Sequence, residues 1–490
     1  MRNEDAVSEN LAAEIEHPDI VSFVAGRSLA HDGPAIDLIG PQDGRVIGRI
    51  REAGASGVDA AVSAAKEAFA RHRKSPAHQR IQWLKAARDA LDGAVEEIAR
   101  IICEDVGKPI RIARGEVRRG AEFIDACAAA LTQLGGEMLP VDAQAAGAGK
   151  LGFVRRVPYG VVAGITPFNA PVNLLVQKLA PAVAASNAIV VKPALAGTRT
   201  ALRLAELLAA AGWPEGLFGV VTGDRDTAVA LARHPDVRAV SFTGGTAAGD
   251  ALARVAGARK FLAELGSNAA NIVLADANLD DAARKIAGAG FEAGGQQCIA
   301  AQRVLVARAV LPEFLERFVA AASALVVGPA DDPKTDVGPM VHAAAADRVM
   351  GLCEDAIAHG ARYALAPRRV NCLVSPGILV DVPRAARLWR EEVFGPVVLV
   401  APFESVDEAL ALANDSPFGL QGAVFTRDLG TALRFSEDLE VGSLWVNEAS
   451  RFRLDMYPFG GVKASGVGRE GVRYAIEELS QLKFTGLSVA

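Results

Sequence analysis

One cysteine follows a glycine pair in Phe291-Glu-Ala-Gly-Gly-Gln-Gln-Cys298-Ile, and upstream a carboxylate opens the string Glu264-Leu-Gly-Ser-Asn268. These two side-chain types together suit acyl chemistry through a thioester. A thiolate makes the covalent bond, and a carboxylate activates the water that breaks it. Gly294 and Gly295 permit close backbone approach at the reacting group. A thiol at its ordinary pKa of about 8.5 is only a few per cent thiolate near neutrality, so a reactive Cys298 is expected to have that value lowered. The remaining cysteines, Cys103, Cys127, Cys353 and Cys372, read as small buried hydrophobes. Asn169, in Pro167-Phe-Asn169-Ala-Pro, could donate its amide to an alkoxide, although by itself an Asn in that setting reads as a turn residue.

The elements that must position these residues form two alternating series. Residues 58–134 read as helices, with Val58 to Arg73 and Ala77 to Val106 punctuated by Pro76 and by Gly107-Lys-Pro109. From residue 160 short β-rich runs alternate with Ala/Leu-rich helices: Gly160–Ile165, Ala188–Lys192, Leu217–Val221, Val237–Phe242 and Lys260–Glu264. That alternation predicts a parallel, doubly wound sheet, which binds ligands at the carboxyl ends of its strands. A second series starts at Asn271-Ile-Val-Leu, runs through Gln302–Val306 and Val397–Val400, and closes near Gly422–Phe425. Glu264 and Cys298 therefore fall at the junction of two α/β units. A Gly/Ala-rich stretch, Gly135–Gly149, leads into a strand at Leu151–Val157.

Composition narrows the function class. With 490 residues the chain has room for about three domains. A net charge of -6 offers no basic field to nucleic acid. The five cysteines lie far apart, with no CxxC and no Cys/His cluster, which predicts free thiols in a reducing compartment and no metal site. The polar start MRNEDAVSENLAAEIEHPDI lacks an apolar h-region, and no run of about 18 apolar residues occurs to span a membrane. The expectation is a soluble cytoplasmic protein without nucleic-acid or membrane partners.

With Glu391-Glu392-Val-Phe394-Gly-Pro added to the strings above, the chain resembles the aldehyde dehydrogenase superfamily from about residue 20 to 485. The resemblance implies an α/β fold of two doubly wound domains and a small β oligomerisation arm. Residues 1–134 and 158–264 would form a Rossmann-like NAD(P)-binding domain, to which 441–469 returns. Residues 265–440 would form the catalytic domain, and 135–157 with 470–490 the arm of a homodimer or homotetramer. It further implies Cys298 as nucleophile, Asn169 as oxyanion donor and Glu264 as general base. For NAD or NADP it implies Thr166, Pro167, Lys192, Gly244, Thr246, Gly249, Leu265, Glu392 and Phe394. The helix opening after Gly244-Gly245 has an amino end suited to a pyrophosphate.

Two departures bear on specificity. The family's NAD-preferring Lys-Pro-Ser-Glu reads Lys192-Pro-Ala194-Leu195 here, so neither a 2′-hydroxyl acceptor nor a charge repelling a 2′-phosphate is present, and NADP becomes admissible. Arg199 could reach such a phosphate, although a solvated helix face is the commoner role for an arginine there. Where many members carry bulky aromatics, Ala170 and Gln177 stand, and Arg451-Phe-Arg453-Leu-Asp resembles the substrate loop of the branch acting on lactaldehyde, phosphonoacetaldehyde and glyceraldehyde 3-phosphate. Arg119 and Arg453 would then grip a distal anion, with Gln177 and Gln297 beside them. Gln297 replaces an arginine of the glyceraldehyde 3-phosphate enzymes. A small polar, anionic aldehyde is the expected substrate. A succinate-semialdehyde-type enzyme is the nearest alternative. The CoA-acylating branch typically lacks the Glu264 equivalent, so its presence implies hydrolysis to a free acid, and Cys298, Asn169, Glu264 and Glu392 together count against a non-enzymatic use of the fold.

Overall fold

A computed structural model describes residues 19–489. Its largest sheet has eight strands, the central five of them parallel, in the order Lys260–Glu264, Val237–Thr243, Val161–Thr166, Ala188–Pro193 and Phe218–Val220. These strands are short runs of Val, Ile and Ala, buried on both faces as parallel sheets require. Side chains alternate between two apolar layers. Val161, Ala163 and Ile165 pack on one side with Val190 and Val240, whereas Val162 packs on the other with Ile189 and Val191. Strand order reverses between Val161–Thr166 and Val237–Thr243, which opens a crevice at their carboxyl ends.

The second sheet has seven strands, Arg362–Leu365, Gly377–Val380, Val397–Phe403, Arg303–Ala307, Ala270–Val273, Gln421–Phe425 and Ser443–Val446, parallel except at the first pair. Residues 265–269 connect the two sheets, directly after Glu264. A third, antiparallel sheet joins Glu137–Leu139, Lys150–Pro158 and Ser480–Ser488, with the last two strands in register from Ser480↔Pro158 to Ser488↔Lys150. Met138 and Leu482 on it are each 67% exposed.

Several expected boundaries shift. The run 77–106 is two helices, Ala77–Gly93 and Val95–Val106, because Ala94 leaves helical geometry (φ -107°, ψ 14°) and Glu96 and Glu97 open the second helix at its positive end. Segment 441–469 does not return as one piece. Ser443–Val446 pairs with Gln421–Phe425 in the seven-stranded sheet, and only Gly466–Val467 adds to the eight-stranded one, beside Glu264. The stretch from residue 470 is not all arm: Val472–Glu478 is a helix whose Val472 and Ile476 join the core of the first domain. Strands Ser22–Val24 and Arg27–Leu29, unforeseen, form the far edge of the eight-stranded sheet. No helix among the described residues is long and apolar enough to cross a membrane, and no cluster of three or more metal-ligating side chains occurs there.

Candidate active site

Helix Leu279–Phe291 ends in a tight turn where Ala293, Gly294 and Gly295 all take positive φ, at 54°, 67° and 64°. Side chains are strained in that region and glycine is not. Position 295 is closed to other residues for a second reason: a Cβ there would stand 2.3 Å from the Gly395 carbonyl oxygen. The glycine pair thus folds the cysteine loop onto the loop that carries Glu392 and Phe394. Asn169 then pins the cysteine loop from the other side, its Nδ2 donating to the Gln296 carbonyl at 2.9 Å. That bond uses one of its two amide protons. The Cys298 N–H donates to no group among the described residues. Two donors are left for an alkoxide at this point.

Cys298 and Asn169 open on one cavity of about 850 Å³, whose wall includes Arg119, Ala170, Gln177, Gln297, Arg451 and Arg453. The expected substrate residues are all brought together. The arginines, however, arrive paired. Arg119 sets its Nε and Nη2 on the two oxygens of Asp455 at 3.0 and 2.8 Å. The Arg453 side chain is 7% exposed, lies over the Phe459 ring at 3.6 Å, and donates to Gln177 Oε1 and Glu470 Oε2, both at 3.0 Å. Arg451 bonds Glu292 at 2.6 Å and Gln297 Oε1 at 2.9 Å.

Glu264 ends its strand beside Thr243 and is only 5% exposed. Its side chain does not line the Cys298 cavity. It faces a small enclosed space with Gln177, Lys178 and Glu470, and its Oε2 has no hydrogen-bond partner among the described residues. Burial, reinforced by the neighbouring Glu470, holds its carboxyl well above the usual carboxylate range. To reach a group on Cys298 this side chain must rotate toward the cavity.

A second cavity, of about 730 Å³, lies in the crevice where strand order reverses and is lined by Thr166, Pro167, Phe168, Lys192, Leu195, Gly244 and Gly245. Phe168 faces this cavity and its neighbour Asn169 the first, so one loop separates the two. Five expected cofactor residues do not line it, among them Thr246, Gly249 and Leu265. Thr246 points its hydroxyl at the Ala464 carbonyl (3.4 Å), and Gly249 lets Leu265 pack close, since a Cβ there would meet Leu265 Cδ2 at 2.5 Å. These three hold the helix Thr246–Ala256 in place instead. Glu392 and Phe394 lie outside this wall as well. Phe394 meets the Phe168 ring edge-on at 5.9 Å, and Glu392 accepts from Ser267 N–H at 3.0 Å. Burial pushes the Glu392 carboxyl up to about 7. Arg199 does not face this cavity: it bonds Asp105 and Glu104 at 2.8 and 2.9 Å. Arg225 stands on the cavity wall in its place.

The sequence pattern of the aldehyde dehydrogenase family matches residues 29–485. The chain belongs to the aldehyde dehydrogenase family. It is 37% identical to aspartate-semialdehyde dehydrogenase 1 of Pseudomonas canavaninivorans, over 95% of this chain and 99% of the relative. With 3-sulfolactaldehyde dehydrogenase of Priestia aryabhattai it shares 40% over 88% of this chain and 90% of the relative. Among solved structures, the NADP-dependent glyceraldehyde-3-phosphate dehydrogenase of Bacillus halodurans, complexed with NADP, superposes with a TM-score of 0.94 at 34% identity, covering 97% and 100% of the two chains. The reaction class is NAD(P)-dependent aldehyde oxidation, on an α/β fold of two doubly wound domains.

The electrostatics of the dehydrogenase's cysteine reverse one expectation. Burial pushes the Cys298 thiol up to about 12, with Arg453 opposing and Glu392, Glu264 and Glu470 adding to the rise. Loss of hydration and surrounding carboxylates both disfavour the thiolate, and the glycine turn says nothing of either. Alkylation of Cys298 by iodoacetamide in the cofactor-free enzyme should therefore rise about tenfold per pH unit across pH 7 to 9.5, following the thiolate fraction. A plateau below pH 8, measured by mass spectrometry of the 298 peptide, would show a thiolate already formed at rest.

Proposed function

We propose that the chain oxidises a short aldehyde ending in an anion to the corresponding acid, by way of a Cys298 thioester. The observation that carries this reading is one cavity holding Cys298 and Asn169 together with Arg119, Gln177 and Arg453. In the proposed sequence the Cys298 thiol gives its proton to water in the open cavity, its Sγ attacks the carbonyl carbon, and the alkoxide accepts from Asn169 Nδ2 and the Cys298 N–H. Bound NAD(P) supplies the hydride acceptor. Glu264, turned toward the cavity, then takes a proton from the water that attacks the thioester, and Cys298 leaves as thiolate.

The crevice fits such a cofactor. Lys192 presents a buried cation there, and Gly245 leaves open space at the amino end of a helix where a diphosphate is favoured. Leu195 supplies neither an acceptor for a 2′-hydroxyl nor a charge against a 2′-phosphate, which supports acceptance of both NAD and NADP. Substrate anionicity is supported by the relatives' names, which specify aspartate semialdehyde, 3-sulfolactaldehyde and glyceraldehyde 3-phosphate. Hydrolysis in place of transfer to CoA is supported by Glu264. We read the three-stranded sheet, with Met138, Leu482 and Phe484 exposed, as the surface that joins subunits into a dimer or tetramer.

The test compares kcat/KM for short anionic aldehydes with neutral ones of equal length. Arg119→Ala should cost about ten- to a hundredfold for the anionic substrate, the scale of one charged hydrogen bond, and should leave the neutral one nearly unchanged. A wild-type preference for hexanal or benzaldehyde over every short anionic aldehyde would sink the reading of the pocket.

A further inference from the structure

Every lysine and arginine in the wall of the Cys298 cavity stands within ion-pair distance of a carboxylate of this chain. At the inner end the pairs join into a row. Asp455 is bound by both fork nitrogens of Arg119, and its Oδ1 lies 3.9 Å from Arg453 Nε. Arg453 donates to Glu470 at 3.0 Å, and Lys178 approaches the other Glu470 oxygen at 3.4 Å. Three cations therefore alternate with two carboxylates, and at most one positive charge is left over. Glu264 borders the row and leaves that sum unaltered while it holds its proton, the form its burial favours. Arg453 Nε is buried and has no hydrogen-bond partner among the described residues.

We propose that this row is matched to a substrate tail bearing a single negative charge, a carboxylate or sulfonate, and that Asp455 is the positioning residue that selects against a doubly charged phosphate or phosphonate. The inference rests on the reading above that Arg119 and Arg453 face the tail. Asp455 acts through Arg119. It takes both ends of one edge of the guanidinium, fixing its plane and cancelling its charge, so a second negative charge on the tail finds no unpaired cation. Burying such a charge without a partner is costly. The neighbouring position offers no relief, because Gln297 is neutral and the Arg451 beside it is neutralised by Glu292.

Sulfoacetaldehyde and phosphonoacetaldehyde test this, since they share a two-carbon skeleton and differ by one charge once the phosphonate loses its second proton, near neutrality as for a phosphate ester at about pH 6. For the wild-type enzyme with NADP, kcat/KM for the sulfonate should exceed that for the phosphonate by about tenfold or more at pH 8.5, the scale of one charged hydrogen bond, and the gap should narrow toward pH 6. Asp455→Asn adds one net positive charge and should shift the ratio toward the phosphonate by about tenfold at pH 8.5. If that variant does not fold, judged by its melting curve, the wild-type pH series decides alone. A wild-type preference for the phosphonate at pH 8.5, or a folded Asp455→Asn with an unchanged ratio, would overturn the proposal and leave the anionic reading intact. Propanal oxidised faster than either tailed aldehyde would overturn both.

Discussion

Cys298→Ser is expected to lower aldehyde oxidation by on the order of 10⁴-fold or more while leaving NAD(P) binding intact, because a serine hydroxyl offers almost no anion near neutral pH. The substitution removes little bulk, and the turn that presents the residue is set by Gly294 and Gly295, which are untouched. The cofactor cavity lies on the far side of the Phe168–Asn169 loop and does not include Cys298. Loss of activity and retention of binding are therefore separable. NAD(P)H formation measures the first and quenching of protein fluorescence on cofactor addition measures the second. Turnover within tenfold of wild type would place the nucleophile elsewhere.

Glu264→Gln should stall the reaction half-way. The amide resembles the protonated carboxyl that burial and Glu470 favour, so the surroundings of Lys178 and Glu470 should keep their shape. Acylation needs no base at this position, whereas thioester hydrolysis does. Rapid mixing should show a burst of NAD(P)H of about one equivalent per site, followed by turnover reduced about 10²- to 10⁴-fold, the usual contribution of a positioned general base. Equal loss of burst and steady state would mean that Glu264 organises the site without activating water. A raised carboxyl pKa also sets a direction with pH. The base form grows as pH rises, so the slow phase in wild type should accelerate on the alkaline side.

Much of the fold could be read along the chain because parallel strands buried on both faces appear as unbroken Val/Ile/Ala runs. Val237 to Phe242 and Lys260 to Glu264 were placed within a residue. Breaks that depend on tertiary packing were invisible. Ala94 leaves the helix although alanine favours it, and Ser443–Val446 joins the seven-stranded sheet because its partner Gln421–Phe425 lies there. At the site, Asn169 and Lys192 stand in strings that resemble the family's motifs, and the fold sets the first on the Cys298 cavity and the second on the crevice. Arg199 and Arg225 show the limit: both are arginines near the crevice, and only the fold reveals that one is bound by Asp105 while the other reaches the cavity. Asp455 carries no signal in the sequence for the same reason. Its meaning comes from meeting Arg119, and no spacing announces that contact.

The raised proton affinity of Cys298 has a consequence for the enzyme's durability. Peroxides oxidise thiolates far faster than thiols, and a sulfenic acid once formed can proceed to sulfinic and sulfonic acids that do not return. Desolvation, with the fields of Glu392, Glu264 and Glu470, pushes the Cys298 thiol up to about 12 and favours the thiol form between turnovers. The same electrostatics that slow the unprompted reaction of the sulfur should slow its oxidation, so that peroxide inactivation of the cofactor-free enzyme is expected to accelerate as pH rises.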